Sequence, residues 1–215
     1  MAHLEKLSDL DLAALISSKI CHDVIGPVGA ISIGLGVLEE DDAPEARAYA
    51  LEVIKNVTAQ ASARLEFARF AFGASGSAGS TIDLDMARQL SLAYVGSEKH
   101  KMSWSGLNGH MQKDKAKLLL NLVMTAISAL PRGGTIDVEV GGTLDAPQFV
   151  FTCCGRGARA PNHLVPFLEG RAGDGVDAMS VQAYYTTRLA EQAGLAIAIE
   201  TDDGRTTIVA RRSFA

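Results

Sequence analysis

The sequence predicts a two-part α + α/β protein. An N-terminal antiparallel helical hairpin pairs with a second copy into a dimeric four-helix bundle, and a two-layer α/β sandwich follows it. Three observations carry this prediction. Through residues 9–72 the apolar residues recur at alternating gaps of three and four, the seam of helices packed in a bundle. Residues 73–80 (Gly-Ala-Ser-Gly-Ser-Ala-Gly-Ser) are all small and read as a linker. Beyond them strand-like and helix-like stretches alternate. The expected boundaries are a hairpin at 1–74, a linker at 75–80 and an α/β unit at 81–215.

The first helix is expected from about residue 9 to 40, after a cap at Leu7-Ser8-Asp9, with the seam Ala14, Ser17, Cys21, Val24, Val28, Ile31, Leu35 and Leu38. Asp41-Asp42-Ala43-Pro44 turns the chain, and Pro44 suits the opening of the next helix. That helix reaches about residue 72 on the stripe Leu51, Ile54, Thr58, Ala61, Leu65, Ala68, Phe72, widened by Val53 and Val57. A lone hairpin cannot bury both apolar faces. A second copy covers them economically, and the chain's own α/β unit is the alternative cover. In that unit a short strand is expected at 81–83, a helix at 84–96 and a strand at 100–104. Asp114 is expected to cap an apolar helix at 115–130, followed by strands at 135–140 and 148–153. Helices at 161–169 and 180–193 precede a hairpin of 195–201 and 206–212 across Asp202-Asp203-Gly204. Helices grouped over a mixed or antiparallel sheet make two layers.

A chain of 215 residues, 47% hydrophobic and 21% charged, suits one large or two small globular units. The net charge of −5 and the lack of a basic block argue against nucleic acid and anionic membranes as partners. No apolar run approaching the ~18 residues of a membrane span and no signal peptide are read from the sequence. Cys21, Cys153 and Cys154 have neither metal-ligand spacing nor a disulfide framework. The expectation is a reduced, cytoplasmic protein.

The residues that carry chemistry lie in the first helix, at Ser17-Ser18-Lys19-Ile20-Cys21-His22-Asp23-Val24-Ile25-Gly26-Pro27-Val28-Gly29. His22 falls just off the seam, on a stripe of its own with Gly26, Gly29 and Ile33, so the two turns after the imidazole are nearly bare. Each interior glycine costs a helix up to ~1 kcal/mol against alanine. A functional reason for both is access, since a phosphoryl-accepting imidazole must be reached by another protein's active site. With an ordinary pKa of about 6.5, histidine keeps a ring nitrogen free to attack phosphorus near neutral pH. Asp23 could hold the ring or take its proton. Pro27 removes the amide that would bond the carbonyl of Asp23, loosening the helix at the histidine's turn. The structural alternative is a partly buried bundle histidine whose glycines relieve crowding.

His22-Asp23-Val24-Ile25-Gly26-Pro27-Val28 resembles the H-box of sensor histidine kinases at the histidine, the acid and the proline. It departs at Gly26, where that family carries a polar group; a glycine four residues on is similar to monomeric histidine-phosphotransfer domains. The second half resembles the kinases' ATP-binding domain with its nucleotide chemistry removed. Residues 119–136 follow the N-box and its next strand, with Asn121 at the first asparagine, Thr125 at the metal-holding second and Ser128 at the usual lysine. The Asp-x-Gly-x-Gly motif reads Cys153-Cys154-Gly155-Arg156-Gly157, and Met179-Ser180-Val181-Gln182-Ala183-Tyr184-Tyr185 replaces the glycine-rich lid. A thiol is a weak acceptor for the adenine amine, polyphosphate needs an oxygen-held metal, and a lid needs glycines. Gly155 and Gly157 by themselves also read as an ordinary turn after a strand.

The whole chain resembles the dimeric histidine phosphotransferases of alphaproteobacteria. That resemblance implies a relay in which a hybrid kinase's receiver domain (CckA-like) phosphorylates His22, which then serves receivers of response regulators (CtrA-like, CpdR-like). It also implies that this chain binds no cofactor and that magnesium comes with the receiver. Receiver docking is expected at Ile25, Gly26 and Gly29 with the α/β unit at its side. Arg64 and Arg69 either add charge complementarity or are solvated faces of an amphipathic helix. His3, His100, His110 and His163 lack this context. An active kinase with an atypical nucleotide site and a non-catalytic dimeric scaffold are the competing readings.

Overall fold

The computed structural model describes residues 7–40, 42–73, 80–96, 99–170 and 175–212. The expected linker thus lies outside the described residues except at Ser80. Helix α1 (Asp9–Glu40) and helix α2 (Pro44–Ala71) form the antiparallel hairpin. Ser8 caps α1: its Oγ accepts the Asp11 amide at 3.1 Å and donates to the Asp11 carboxylate at 2.6 Å. The helices cross most tightly at Gly34, where a Cβ would stand 2.7 Å from Cγ1 of Ile54.

The face used inside the chain is rotated from the predicted seam. Val24, Ile31 and Leu38 turn inward with Ile16, Ile20 and Pro27, whereas Ala14, Ser17, Cys21, Val28 and Leu35 stay exposed. On α2, Ala50, Ala61, Phe67 and Ala71 are buried, and Leu51 and Leu65 are exposed. The expectation that no run reaches span length is corrected: α1 is long and apolar enough to cross a membrane by length and composition. Lys19, His22 and Asp23 interrupt the apolar run, yet too few charges fall within one span-length window to lower its hydropathy. Its partner argues against a bilayer, because α2 carries Glu52, Lys55, Arg64, Glu66 and Arg69 along the same hairpin.

The second unit is a two-layer α/β sandwich, as the periodicity predicts. Its elements are β1 (Thr81–Asp83), α3 (Leu84–Val95), β2 (His100–Gly106), β3 (His110–Gln112), α4 (Lys113–Ser128), β4 (Gly134–Gly142), β5 (Pro147–Cys154), α5 (Leu164–Leu168), α6 (Val181–Ala193), β6 (Ala196–Asp202) and β7 (Arg205–Arg211). The main sheet runs β2-β4-β5-β7-β6, with β2 parallel to β4 and the other pairs antiparallel. Alternation fixes its buried face: Ile136, Val138 and Val140 lie opposite Cys153, Phe151 and Phe149, which oppose Thr206, Ile208 and Ala210. Against this face packs α4, where Leu118, Leu119, Leu120, Leu122 and Val123 are buried. Asp114 sits in the first turn of α4, whose cap is Gln112, so the expected cap falls two residues late.

The hairpin joins this core at one end. Phe67 and Ala71 are buried in the cluster that also holds Leu84, Met111 and Leu122. Phe67 stacks on Tyr94 of α3 with centroids 4.1 Å apart. At the other helix the amide of Leu7 donates to the hydroxyl of buried Tyr184 on α6. The chain's own second unit therefore covers the base of the hairpin, and the open seam continues above it.

Candidate functional site

His22 projects from the middle of α1 with 71% of its side chain exposed. Asp23 is tucked beside it, with its Oδ1 3.6 Å from Nδ1 of His22. That is beyond hydrogen-bond length, so the acid flanks the ring without clamping it. The other carboxylate oxygen, Oδ2, accepts from Lys19, one turn earlier on α1. The next turn is open: a Cβ at Gly26 or Gly29 would meet nothing within 4 Å, and Ile25 is 69% exposed. The imidazole thus stands at the edge of a shallow, unobstructed surface, not in a packed bundle interior.

Beneath it the backbone is held from across the hairpin. Pro27 lies inside α1 and offers no amide to the carbonyl of Asp23. Nη1 of Arg64 on α2 donates to that carbonyl at 3.1 Å. Arg64 is therefore half-buried and directed at the histidine's turn. Tyr94 closes the gap behind, lining a small void with Asp23, Val24, Arg64 and Phe67. Burial, reinforced by the Asp23 charge, pushes the Tyr94 phenol up to about 12, so it stays protonated there. Arg69 is apart from this group. It is exposed, 3.5 Å from Glu66, and lines a groove with Ile16 and Ser17, more than a turn before His22.

The residues that the resemblance set in a nucleotide site make structural contacts here. Asn121 is fully buried, and its amide donates to the carbonyl of Ala71 at 3.1 Å and to that of Lys117 at 2.9 Å. The first bond satisfies a carbonyl at the end of α2, so Asn121 fastens the hairpin to the second unit. Thr125 is buried and its hydroxyl bonds back to the Asn121 carbonyl at 3.0 Å. Gln182, in the former lid, fills the space next to Asn121, donating to its carbonyl at 3.0 Å and to Thr186 at 2.9 Å. Cys153 is fully buried, and desolvation pushes its thiol up to about 12. It faces the core instead of a purine. Gly155 and Gly157 have backbone reasons to be glycine: a Cβ on the first would sit 2.4 Å from the Gly133 carbonyl, and the second has φ of +76°.

What remains of the cleft is about 230 Å³, lined by Thr125, Ser128, His163, Gln182 and, from α1, Lys19. That is below the roughly 300–1,000 Å³ of ligand pockets. Among the described residues no three His, Cys, Asp or Glu side chains gather where they could hold a metal. Calorimetry with ATP and magnesium is therefore expected to show no binding at millimolar nucleotide. Label entering the protein from ATP alone would show that Thr125 and Cys153 had been compensated.

Sequence reasoning missed Lys19, Tyr94 and Gln182, and it missed the fastening made by Asn121. The Lys19–Asp23 pair was legible as an i,i+4 spacing. The other three act across elements far apart in the chain and leave no local signal.

An exposed histidine on a helical hairpin, fastened to an α/β sandwich, fits a phosphotransfer class of protein. The family model for the histidine phosphotransferase C-terminal domain matches residues 84–205. The protein phosphotransferase ChpT of Brucella abortus (strain 2308) is 47% identical over 194 residues, which are 90% of this chain and 91% of that one. A bacterial phosphotransferase of known structure superposes with a TM-score of 0.90 at 42% identity, covering 97% of this chain and all of the other. The chain belongs to the histidine phosphotransferase family.

Proposed function

We propose that the chain is the histidine intermediate of a multistep phosphorelay, taking a phosphoryl group from the receiver domain of a hybrid kinase onto His22 and passing it to receivers of response regulators. The observation that carries this is the exposure of His22 beside the open surface at Ile25, Gly26 and Gly29. Asp23 lies on the Nδ1 side of the ring, which leaves Nε2 outward as the nucleophile. The Nε2 lone pair attacks phosphorus in line as the bond to the receiver's aspartate oxygen breaks, releasing a carboxylate. Asp23 stabilises the positive charge left on the ring or takes the Nδ1 proton. Phosphoryl transfer of this kind asks chiefly for positioning and charge neutralisation. The receiver contributes its bound magnesium and lysine, and this chain contributes the nitrogen and the docking surface. The test is to mix the protein with a phosphorylated receiver domain and follow the label. Acid-labile label on His22 supports the reading, and label elsewhere or none defeats it.

The working form is a homodimer. The exposed seam residues Val28, Leu35, Leu51 and Leu65 and a 540 Å³ groove walled by Leu12, Ile16, Leu65 and Phe72 support a second hairpin docking here. Val24, inside the predicted seam, faces Tyr94 and Phe67 of its own chain, so it reports on the monomer. Val28→Glu with Leu65→Glu is the suitable pair, since each would bury an unpaired charge only in the dimer. Sedimentation equilibrium at micromolar concentration is expected to give dimer for the native protein and monomer for the double variant. A native monomer would end the four-helix-bundle reading.

A further inference from the structure

We propose that Arg64 is a positioning residue for the phosphoacceptor: it occupies the backbone gap that Pro27 opens under His22 and so fixes the turn from which the imidazole projects. This rests on the reading of His22 given above. In a regular helix the Asp23 carbonyl accepts from the amide four residues on, and that residue is Pro27, which has none. The donor comes instead from Arg64, 41 residues away on the facing helix, at 3.1 Å. The arginine does not stand in solvent. It is half-buried over the void shared by Asp23, Phe67 and Tyr94, and Tyr94 is held in place by its stack on Phe67.

The arrangement divides the holding of one residue between two helices. Lys19 fixes the Asp23 side chain from α1, and Arg64 fixes the Asp23 carbonyl from α2. His22 is joined to that residue by its peptide bond, so its ring inherits the orientation. The proline keeps the carbonyl from being satisfied within α1. The direction of the histidine's turn is thereby set by α2 and, through Phe67 and Tyr94, by the second unit. Arg64 touches neither the receiver nor the reacting atoms in this account, which separates it from a docking role.

The experiment is a double-substitution cycle on the full-length chain, with single-turnover transfer from a phosphorylated receiver as the readout and receiver concentration varied. Arg64→Leu is expected to lower the saturating transfer rate about tenfold, the worth of one charge-assisted hydrogen bond, with half-saturation changed less than about twofold. Arg64→Lys, which keeps one donor on a long stem, is expected to recover most of that rate. Pro27→Ala restores the amide, and in that background Arg64→Leu is expected to cost less than about twofold. A wild-type rate for Arg64→Leu overturns the inference. So does an equal loss with and without Pro27, or a loss confined to half-saturation, which would make Arg64 a docking residue. Should Arg64→Leu fail to fold, Arg64→Lys and the pair in the Pro27→Ala background decide. His22→Ala run alongside keeps the two claims apart: label persisting there defeats the relay reading itself, whatever the arginine does.

Discussion

His22→Ala is expected to abolish phosphoryl transfer from a phosphorylated receiver while the hairpin, its dimer and its thermal stability remain. The chemical half of this expectation is simple. Alanine has no nitrogen lone pair, and the exposed nucleophiles nearest in sequence, Ser18 and Cys21, project from other positions on α1. Lys19 is engaged by Asp23, and Ile25, Gly26 and Gly29 carry none. The structural half follows from exposure. With 71% of its side chain in solvent and only Asp23 close by, His22 supports little packing. Surface substitutions of this kind stay within about 0.5 kcal/mol, and alanine is the better helix former. Melting and sedimentation should therefore match the native protein as the label disappears. Transfer that persists in His22→Ala would place the phosphoacceptor elsewhere. Partners that bind and respond equally well without His22 would favour a scaffold.

The hairpin and most of the sandwich were legible because their signals are local. A 32-residue helix with its capping serine shows itself through periodicity alone, and α1 runs from Asp9 to Glu40 as expected. Strands β4, β5 and β7 alternate strictly because one face is buried, and their positions were readable to within a residue or two. Strand β3 was missed because His110, Met111 and Gln112 pair only with β1, and three residues carry no period. The seam divides in the single chain: Val24, Ile31 and Leu38 turn inward, and Ala14, Ser17, Cys21, Val28 and Leu35 stay exposed. Periodicity says that a helix has an apolar stripe, and α1 has two adjoining ones, for α2 and for the exposed side. Only the close approach at Gly34 decides which faces α2.

For the candidate site, the residues singled out from the sequence are contiguous, but what supports them is not. His22, Asp23 and the bare turn are contiguous, and the orphaned carbonyl follows from Pro27 by counting back four. What satisfies that carbonyl cannot be counted, because Arg64 reaches it only after the hairpin closes. The same holds for Asn121. Its place in a degraded nucleotide motif was plain, but its use against the Ala71 carbonyl depends on where α2 ends in space. A buried amide needs hydrogen-bond partners. Here the hairpin supplies one carbonyl and α4 another, with Gln182 packed alongside. The Asn121–Ala71 bond attaches the two halves to each other and, with the Phe67–Tyr94 stack, keeps Tyr94 and Phe67 beneath the histidine's turn.

Gly26→Leu is expected to lower activity with little change in stability. The site has room, since a Cβ there would meet nothing within 4 Å and the residue is exposed. Replacing an interior helical glycine removes an entropic cost of roughly 0.5–1 kcal/mol, but a Cβ on the residue before Pro27 crowds the proline ring in the helical conformation, so the two effects offset and the thermal midpoint should change little. Transfer should nonetheless fall about a hundredfold, because in-line attack tolerates little more than an ångström of misplacement. The leucine stands one turn along the stripe from His22, where an approaching receiver must close to bring its aspartyl phosphate onto Nε2. Gly26→Ala provides the graded comparison: it sets the same Cβ before Pro27, adds only one methyl, and should lose far less. Measuring transfer and melting on the same three proteins separates the causes. A variant that melts like the native protein and transfers more slowly marks the bare stripe as the receiver's landing surface. Gly26→Leu transferring at the native rate would mean that the receiver approaches from another side, and the glycines would then need a different reason.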